Sequence, residues 1–83
     1  MKIRYFAWVR ERIGRAEEDL DPPATVVTTA DLLAWLKTRG EEYEWALEKA
    51  EVIRVALDQI HAAPDAPIAG AREAALFPPM TGG

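Results

Sequence analysis

The sequence predicts an α+β domain in which one mixed sheet of four to five strands packs on a single main helix. Three observations predict it: alternating apolar residues near both ends of the chain, one amphipathic stretch between them, and the order strand, strand, helix, strand, short strand, strand. The 83 residues can enclose one core but not two domains. We expect the folded domain to span residues 1–77 and an extended tail to span residues 78–83.

An alternation of apolar residues from Ile3 to Val9 predicts the first strand, since aromatic and β-branched side chains favour the extended form. One face of this strand belongs to the core. Phe6 and Trp8 lie on the other face, where a one-sided sheet normally carries polar groups. After a short helical turn, the predominantly acidic stretch at residues 17–20 predicts an edge strand beside the first.

The main helix is predicted in the middle of the chain. Thr28 or Thr29 can cap its first turn, and Asp31 suits the positive end of the helix dipole. Its buried face carries three leucines at helical spacing, Leu32, Leu33 and Leu36. Gly40 suits the end of this helix, and residues 41–50 predict a second, shorter helix with an acidic outer side.

Three further segments complete the predicted sheet. Residues 53–57 alternate as a third strand, and Asp58-Gln59 predicts a turn into a short return strand at Ile60-His61. The last strand is predicted at Glu73–Phe77, directly before the tail.

An apolar patch is predicted on the face of the sheet that the helix leaves uncovered. If the first and last strands are neighbours at the sheet centre, four side chains converge there, namely Phe6, Trp8, Ala75 and Phe77. A contiguous exposed apolar patch usually marks a protein interface, so these residues are candidates for partner binding. The alternative is that Trp45 or a loop folds over the patch and forms a second small core.

Composition and charge narrow the class of partner. The formal net charge of −4 argues against nucleic acid or an anionic membrane, since both bind dense basic patches, and it favours a basic protein. The interrupted apolar run at the start does not fit a signal peptide, and no stretch is long enough to span a bilayer. Because the chain has no cysteine, we expect a cytoplasmic protein.

The side chains offer little catalytic chemistry, whereas the tail offers a carboxylate. Cys and Ser are absent, His61 is the one histidine, and no metal or phosphate motif occurs, so we expect no bound metal or cofactor. Pro78 and Pro79 predict a stiff extended stalk, and Gly82 can pass through a narrow site to present the α-carboxylate of Gly83. A flexible, inert end is the alternative.

Three motifs resemble the small subunit of molybdopterin synthase. They are Phe6-Ala7-x-Val9-Arg10-Glu11-x-x-Gly14 near the start, Pro67-Ile68 before a glycine turn, and Leu76-Phe77-Pro78-Pro79-x-x-Gly82-Gly83 at the end. The resemblance extends over essentially the whole chain and is most specific at its two ends. It implies the β-grasp (ubiquitin-like) fold.

The resemblance also implies a function and its partners. An adenylyltransferase related to ubiquitin-activating enzymes would use ATP to adenylate Gly83, and a sulfurtransferase step would convert it to a thiocarboxylate. The tail would then enter the large subunit of a heterotetrameric molybdopterin synthase and donate sulfur to cyclic pyranopterin monophosphate, in molybdenum cofactor biosynthesis. Gly83 would carry the sulfur, Gly82 would keep the channel passable, and Phe6 with Phe77 would bind the partner. The chain itself would be a non-catalytic subunit.

Three other functions remain open from the sequence. Related sulfur carriers for thiazole synthesis or tRNA thiolation also end in Gly-Gly. A ubiquitin-like modifier would be joined to lysines of target proteins through Gly83. A plain interaction domain with an inert end is the third.

Overall fold

A computed structural model of the chain describes residues 1–79 as five strands and three α-helices. The strands are β1 (Lys2–Tyr5), β2 (Glu17–Asp19), β3 (Arg54–Leu57), β4 (Ile60–Ala62) and β5 (Glu73–Phe77). The helices are α1 (Ala7–Ile13), α2 (Thr29–Lys37) and α3 (Glu41–Ala46), and a 3-10 turn spans Ala50–Val52. The predicted α+β architecture is confirmed. The predicted roles of Gly82 and Gly83 fall on residues outside the described part of the chain.

The five strands form one mixed sheet in the order β2-β1-β5-β3-β4. The first and last strands pair in parallel at its centre, with Tyr5 beside Leu76, and the other three strand pairs are antiparallel. This central pairing of β1 with β5 was the condition on which the predicted patch depended. Asp58 and Gln59 make the predicted turn between β3 and β4, with φ of 49° and 71°. Positive φ at both positions matches the twist of a two-residue hairpin.

The first strand is shorter than predicted. It ends at Tyr5, and α1 begins at Ala7, whose φ is 52°. Val9 and Ile13 are buried on α1, because they share the four-residue spacing of one helix face. The apolar residues from Ile3 to Val9 fit both the two-residue period of a strand and the period of a helix. After Tyr5 the chain follows the helical period. The prediction that Trp8 lies in a strand is therefore wrong.

The start of the main helix is as predicted. Thr28 caps α2, and its Oγ1 accepts from the backbone N–H of Asp31 at 3.1 Å. The Asp31 carboxylate accepts in return from the backbone N–H of Thr28 at 3.1 Å, which completes a capping box. The helix ends at Lys37, and Gly40 stands instead at the N-cap of α3. The second helix is shorter than predicted, since α3 ends at Ala46.

The core lies between the sheet and the helical layer. Its most completely buried apolar side chains are Ile3, Tyr5, Val9, Leu32, Leu36, Ala46, Leu47, Ala74 and Leu76. The three predicted leucines of α2 are all buried. Within residues 1–79, the helices are too short to cross a membrane.

Candidate functional site

The side of the sheet turned away from the core is a candidate docking face. Paired residues of neighbouring strands share a face, so Arg4, Ala75, Ala56 and His61 form one row across β1, β5, β3 and β4. A second row pairs Phe77 with Arg54, and Phe6 continues the alternation beyond Arg4. We call this surface, made of Phe6, Ala75, Phe77, Ala56 and His61 with Arg4 and Arg54 beside them, the open face.

Two phenylalanines give the open face its apolar character. Phe6 is 38% exposed, and the Arg4 guanidinium lies 5.3 Å from the centre of its ring. The backbone N–H of Phe6 donates to the carbonyl of Leu76 at 3.0 Å, which holds Phe6 beside the end of β5. Phe77 is half-buried and contacts His61 edge to face, with ring centroids 5.5 Å apart. The structure thus brings together three of the four predicted patch residues, namely Phe6, Ala75 and Phe77.

Trp8, the fourth predicted patch residue, lies elsewhere. On α1 its ring packs against the guanidinium of Arg12 at 4.6 Å, and the Trp45 ring lies 4.7 Å from the same group. Arg12 also donates to the backbone carbonyl of Trp45 at 3.2 Å. Trp45 therefore stacks with α1, so the alternative in which it covers the open face is wrong.

His61 and Ala56 complete the open face, although neither belongs to the patch predicted from the sequence. Ala56 is only 8% exposed, and His61 is exposed beside it on β4. The available signal was the two-residue turn at Asp58-Gln59, which fixes the register of the hairpin and so places His61 opposite Ala56.

The start of the tail belongs to the same surface. Phe77 is the last residue of β5, and Pro78 and Pro79 follow it directly, both half-buried. Proline has no N–H to extend the sheet pairing, so the strand ends here. Any partner that covers Phe77 must therefore lie next to the point where the chain leaves the sheet.

Charged residues beside the patch form ion pairs along the sheet. Lys2 lies 3.4 Å from Glu17, and Arg4 lies 3.7 Å from Glu73. These pairs join β1 to its neighbours β2 and β5. Each pair sets one positive charge against one negative charge on that half of the sheet.

Glu18, on the core side of β2, binds four other side chains. Its carboxylate accepts from the hydroxyls of Tyr5 and Tyr43, each at 2.6 Å. The guanidinium groups of Arg15 and Arg39 each donate to it at 3.2 Å. The side chain is only 8% exposed. In the sequence, Glu18 is distinguished only as one of several acidic residues of a predicted edge strand.

The environment of Glu18 explains its charge state. Burial alone would raise the pKa of Glu18, but the hydrogen bonds from Tyr43 and Tyr5 and the nearby Arg39 and Arg15 hold the pKa below its ordinary value. Burial, together with the hydrogen bond to this carboxylate, raises the pKa of Tyr5. Glu18 is thus ionised, and its four hydrogen bonds connect the edge strand β2 with the core and the helical layer.

A recess of about 290 Å³ opens between α2 and the β3–β4 hairpin. Its lining is mostly apolar and includes Leu33 and Val55, with Arg54 and His61 among its polar members. Among residues 1–79, no cluster of three or more acidic or histidine side chains is arranged to hold a metal ion.

Comparison with known proteins gives the family. The model of the ThiS family matches residues 3–83. No curated protein sequence matches the chain. SAMP1 from Haloferax volcanii is 28% identical with a TM-score of 0.73, and the match covers 100% of this chain and 98% of that one. A second structure, of small archaeal modifier protein 1 from H. volcanii, is 27% identical with a TM-score of 0.72 over 95% of each chain.

A protein assigned as molybdopterin converting factor subunit 1 from Pyrococcus furiosus has the same fold. It is 22% identical with a TM-score of 0.73, and the match covers 94% of each chain. These likenesses confirm the β-grasp (ubiquitin-like) fold that the sequence motifs implied. The chain belongs to the ThiS family of ubiquitin-like sulfur carriers.

Proposed function

We propose that this protein is the sulfur-carrier small subunit of molybdopterin synthase and that Gly83 is its carrier residue. One observation carries the proposal: Phe77 belongs both to the open face and to the segment that leads into Pro78 and Pro79. A partner that docks on the open face would thereby fix the direction in which the tail leaves. The family match, which extends to residue 83, supports the sulfur-carrier part of the proposal.

The chemistry needs no side chain of this protein. A carboxylate resists nucleophiles until one of its oxygens becomes a leaving group. In an activating enzyme of the ubiquitin-activating type, the Gly83 carboxylate would attack the α-phosphorus of ATP, forming an acyl-adenylate and releasing pyrophosphate. Hydrosulfide delivered by a sulfurtransferase would then attack the acyl carbon, expel AMP and lose its proton, which leaves a thiocarboxylate.

The loaded tail would next deliver its sulfur in the large subunit. We propose that the open face binds that subunit and that Gly82, which has no Cβ, lets the end of the tail pass into the site. There the sulfur of the thiocarboxylate would bond to carbon of cyclic pyranopterin monophosphate, and water would then hydrolyse the acyl–sulfur bond and return Gly83 to its carboxylate. Two such small subunits with two large ones would make the heterotetramer.

A second candidate function has its own support. The 28% identity to SAMP1 favours a protein modifier joined through Gly83 to lysines of other proteins. Both functions begin with the same adenylation and differ in the nucleophile that takes the acyl group. A carrier for thiazole synthesis or tRNA thiolation would share both the adenylation and the thiocarboxylate and differ only in the acceptor.

A reconstitution separates these functions. The purified chain, ATP, the activating enzyme and a sulfur donor should yield a thiocarboxylate, and the large subunit with cyclic pyranopterin monophosphate should then form molybdopterin. A matched reaction uses the chain without Gly83, which should form neither product. Loading without transfer would point to the thiazole or tRNA pathways, whereas amide-linked conjugates formed in a lysate would point to the modifier function.

A further inference from the structure

The recess between α2 and the β3–β4 hairpin lies close to the point where the tail begins. β5 runs antiparallel to β3, with Phe77 opposite Arg54. The same register carried on by one residue sets Pro78 against Ile53, and both Ile53 and Arg54 line the recess. Pro78 and Pro79 are half-buried, so the first residues of the tail lie along the domain. The tail therefore leaves the sheet one strand away from the recess.

Residues 80–83, outside the described part of the chain, are long enough to reach this recess. Neighbouring strands lie about 4.8 Å apart, and four extended residues span about 13 Å. The volume of the recess is about 290 Å³. Pockets for drug-sized ligands hold about 300 to 1,000 Å³, so this one suits a short stretch of chain better than a cofactor.

The apolar part of the recess matches Met80, the first residue of this segment. Leu33 of α2 and Val55 of β3 line the recess, and both are buried in the core. Methionine is unbranched and fills irregular apolar gaps. Residues 81–83 carry no large apolar side chain, so Met80 is the residue of the segment that gains from leaving water.

The polar part of the recess matches the carboxylate of Gly83. Arg54 and His61 line the recess, and both are exposed. Among the lysines and arginines that form no ion pair within residues 1–79, only Arg54 lines it. Glu51 is the one acid among the described lining residues. A carboxylate on the Arg54 side would be well held, because the forked N–H groups of arginine fit it.

We propose that the recess binds the tail of the same chain while no partner is docked, with Met80 in its apolar part and the Gly83 carboxylate against Arg54 and His61. Since His61 contacts Phe77 on the open face, a partner that covers this face would disturb the site and release the tail. Binding of the tail is independent of what Gly83 carries. Its consequence rests on the proposed function: the carboxylate would be withheld from activation until a partner docks.

Disulfide trapping tests the position of the tail, because the chain has no cysteine of its own. Thr81→Cys is combined with Ala62→Cys, which lines the recess, or with Ala16→Cys as the control. Counted across the sheet from Leu76, these two positions are each two strands away, on opposite sides. Under mild oxidation, the pair with Ala62→Cys should close within the monomer on the order of tenfold faster, because a bound segment has a higher effective concentration at its site.

The mass of the monomer, measured over time, gives both rates, and circular dichroism of the reduced variants should match the wild type. Equal rates for the two pairs would overturn the proposal. Disulfide-linked dimers that replace the closed monomer and increase with protein concentration would also overturn it, since the recess would then take the tail of a second copy.

A substitution on α2 tests the consequence for activation. Ala30→Trp, at the edge of the recess, should fill it, whereas Ala34→Trp makes the same change at an exposed residue of α2 outside the recess. In ATP–pyrophosphate exchange by the activating enzyme, Ala30→Trp should lower the KM for the carrier about threefold or more with little change in kcat, because the binding-competent fraction rises. Ala34→Trp should stay within about twofold of the wild type.

The outcomes separate this inference from the proposed function. Equal KM values for Ala30→Trp and Ala34→Trp would overturn the withholding of the tail and leave the carrier function standing. Failure of the wild-type chain to support any exchange would overturn the carrier function, whereas the trapping rates would still decide where the tail binds.

Discussion

The two sides of the sheet differ in how far their residues are buried and bonded within the domain. On the core side, the Glu18 carboxylate accepts four hydrogen bonds from Tyr5, Tyr43, Arg15 and Arg39, and the strands bury their apolar residues against the helices. On the open face, Phe6 remains 38% exposed, and Arg54 forms no ion pair within residues 1–79.

Both sides are built from the same two central strands. Alternation sends Ala74 and Leu76 of β5 to the core and sends Ala75 and Phe77 to the open face. The comparison therefore separates two kinds of residue in one short segment. Those facing the helices complete the fold. Of those facing away, Ala75 is only 9% exposed, and Phe77 is half-buried beside the start of the tail.

The largest expected effect lies at the end of the tail. Deleting Gly83 should lower sulfur loading at least about a hundredfold, because the remaining carboxylate stops about 3 Å short of its normal position. Stability should not change, since the core is built from residues of the described domain. Intact mass measured after incubation with ATP, activating enzyme and sulfur donor gives the loaded fraction. Met80→Ala, which keeps the length of the tail, is the control, and wild-type loading of the shortened chain would rule out Gly83 as the carrier.

A change on the core side should cost stability and spare the tail. Glu18→Ala removes the acceptor of two tyrosine hydroxyls and two guanidinium groups and should lower the free energy of unfolding by about 3 kcal/mol. Glu17→Ala, the neighbouring change on an exposed ion pair with Lys2, should cost less than about 1 kcal/mol. Urea unfolding measures both. Equal losses for the two variants would mean that the Glu18 cluster does not stabilise the fold.

A change on the open face should weaken partner binding and spare the stability of the fold. Phe77→Asp should weaken binding to the large synthase subunit on the order of tenfold or more, because it places a charge at the centre of an apolar contact. Val27→Asp introduces the same side chain at a residue that is 55% exposed before α2. That variant should bind as the wild type does in a calorimetric titration. If Phe77→Asp also kept its affinity, the open face would no longer be the docking surface.

Lowering the pH should gradually reduce the contribution of Glu18 to the free energy of unfolding. The pKa of Glu18 is lowered in the folded state, so its contribution is full above its unfolded value of 4.5 and is lost as the pH falls through the folded value. The stability difference between the wild type and Glu18→Gln should therefore shrink between about pH 6 and about pH 3. Asp31, whose pKa is lowered by backbone hydrogen bonds at the cap of α2, is common to both proteins and cancels in the difference. A constant difference over this range would contradict the assignment.

Much of the fold follows from local patterns in the sequence. The last strand spans Glu73–Phe77 as predicted, and Thr28 caps the main helix. The hairpin turn falls at Asp58-Gln59. For the last strand and the turn, the pattern favours the structure observed, whereas the sequence allows either Thr28 or Thr29 as the helix cap. The pairing of β1 with β5 could also be anticipated, and with it the positions of Ala75 and Phe77.

The remainder depends on tertiary contacts. The stretch from Ile3 to Val9 fits both the strand period and the helix period. Its pattern alone therefore could not place Trp8 on a helix beside Arg12 and Trp45. Glu18 is one of three consecutive acids, and only the pairing with Ile3 turns its carboxylate toward the core and the two tyrosines. The role of a residue in a buried network is fixed by partners that lie far away in the sequence.

The most direct test of the account is the intact mass of this protein purified from its native cell, followed by fragmentation of its C-terminal peptide. We expect a fraction in which sulfur replaces one oxygen at Gly83, and this fraction should disappear when the activating enzyme is removed. Finding Gly83 only as a free carboxylate in cells that are making molybdopterin, or only in amide linkage to lysines, would contradict the sulfur-carrier function.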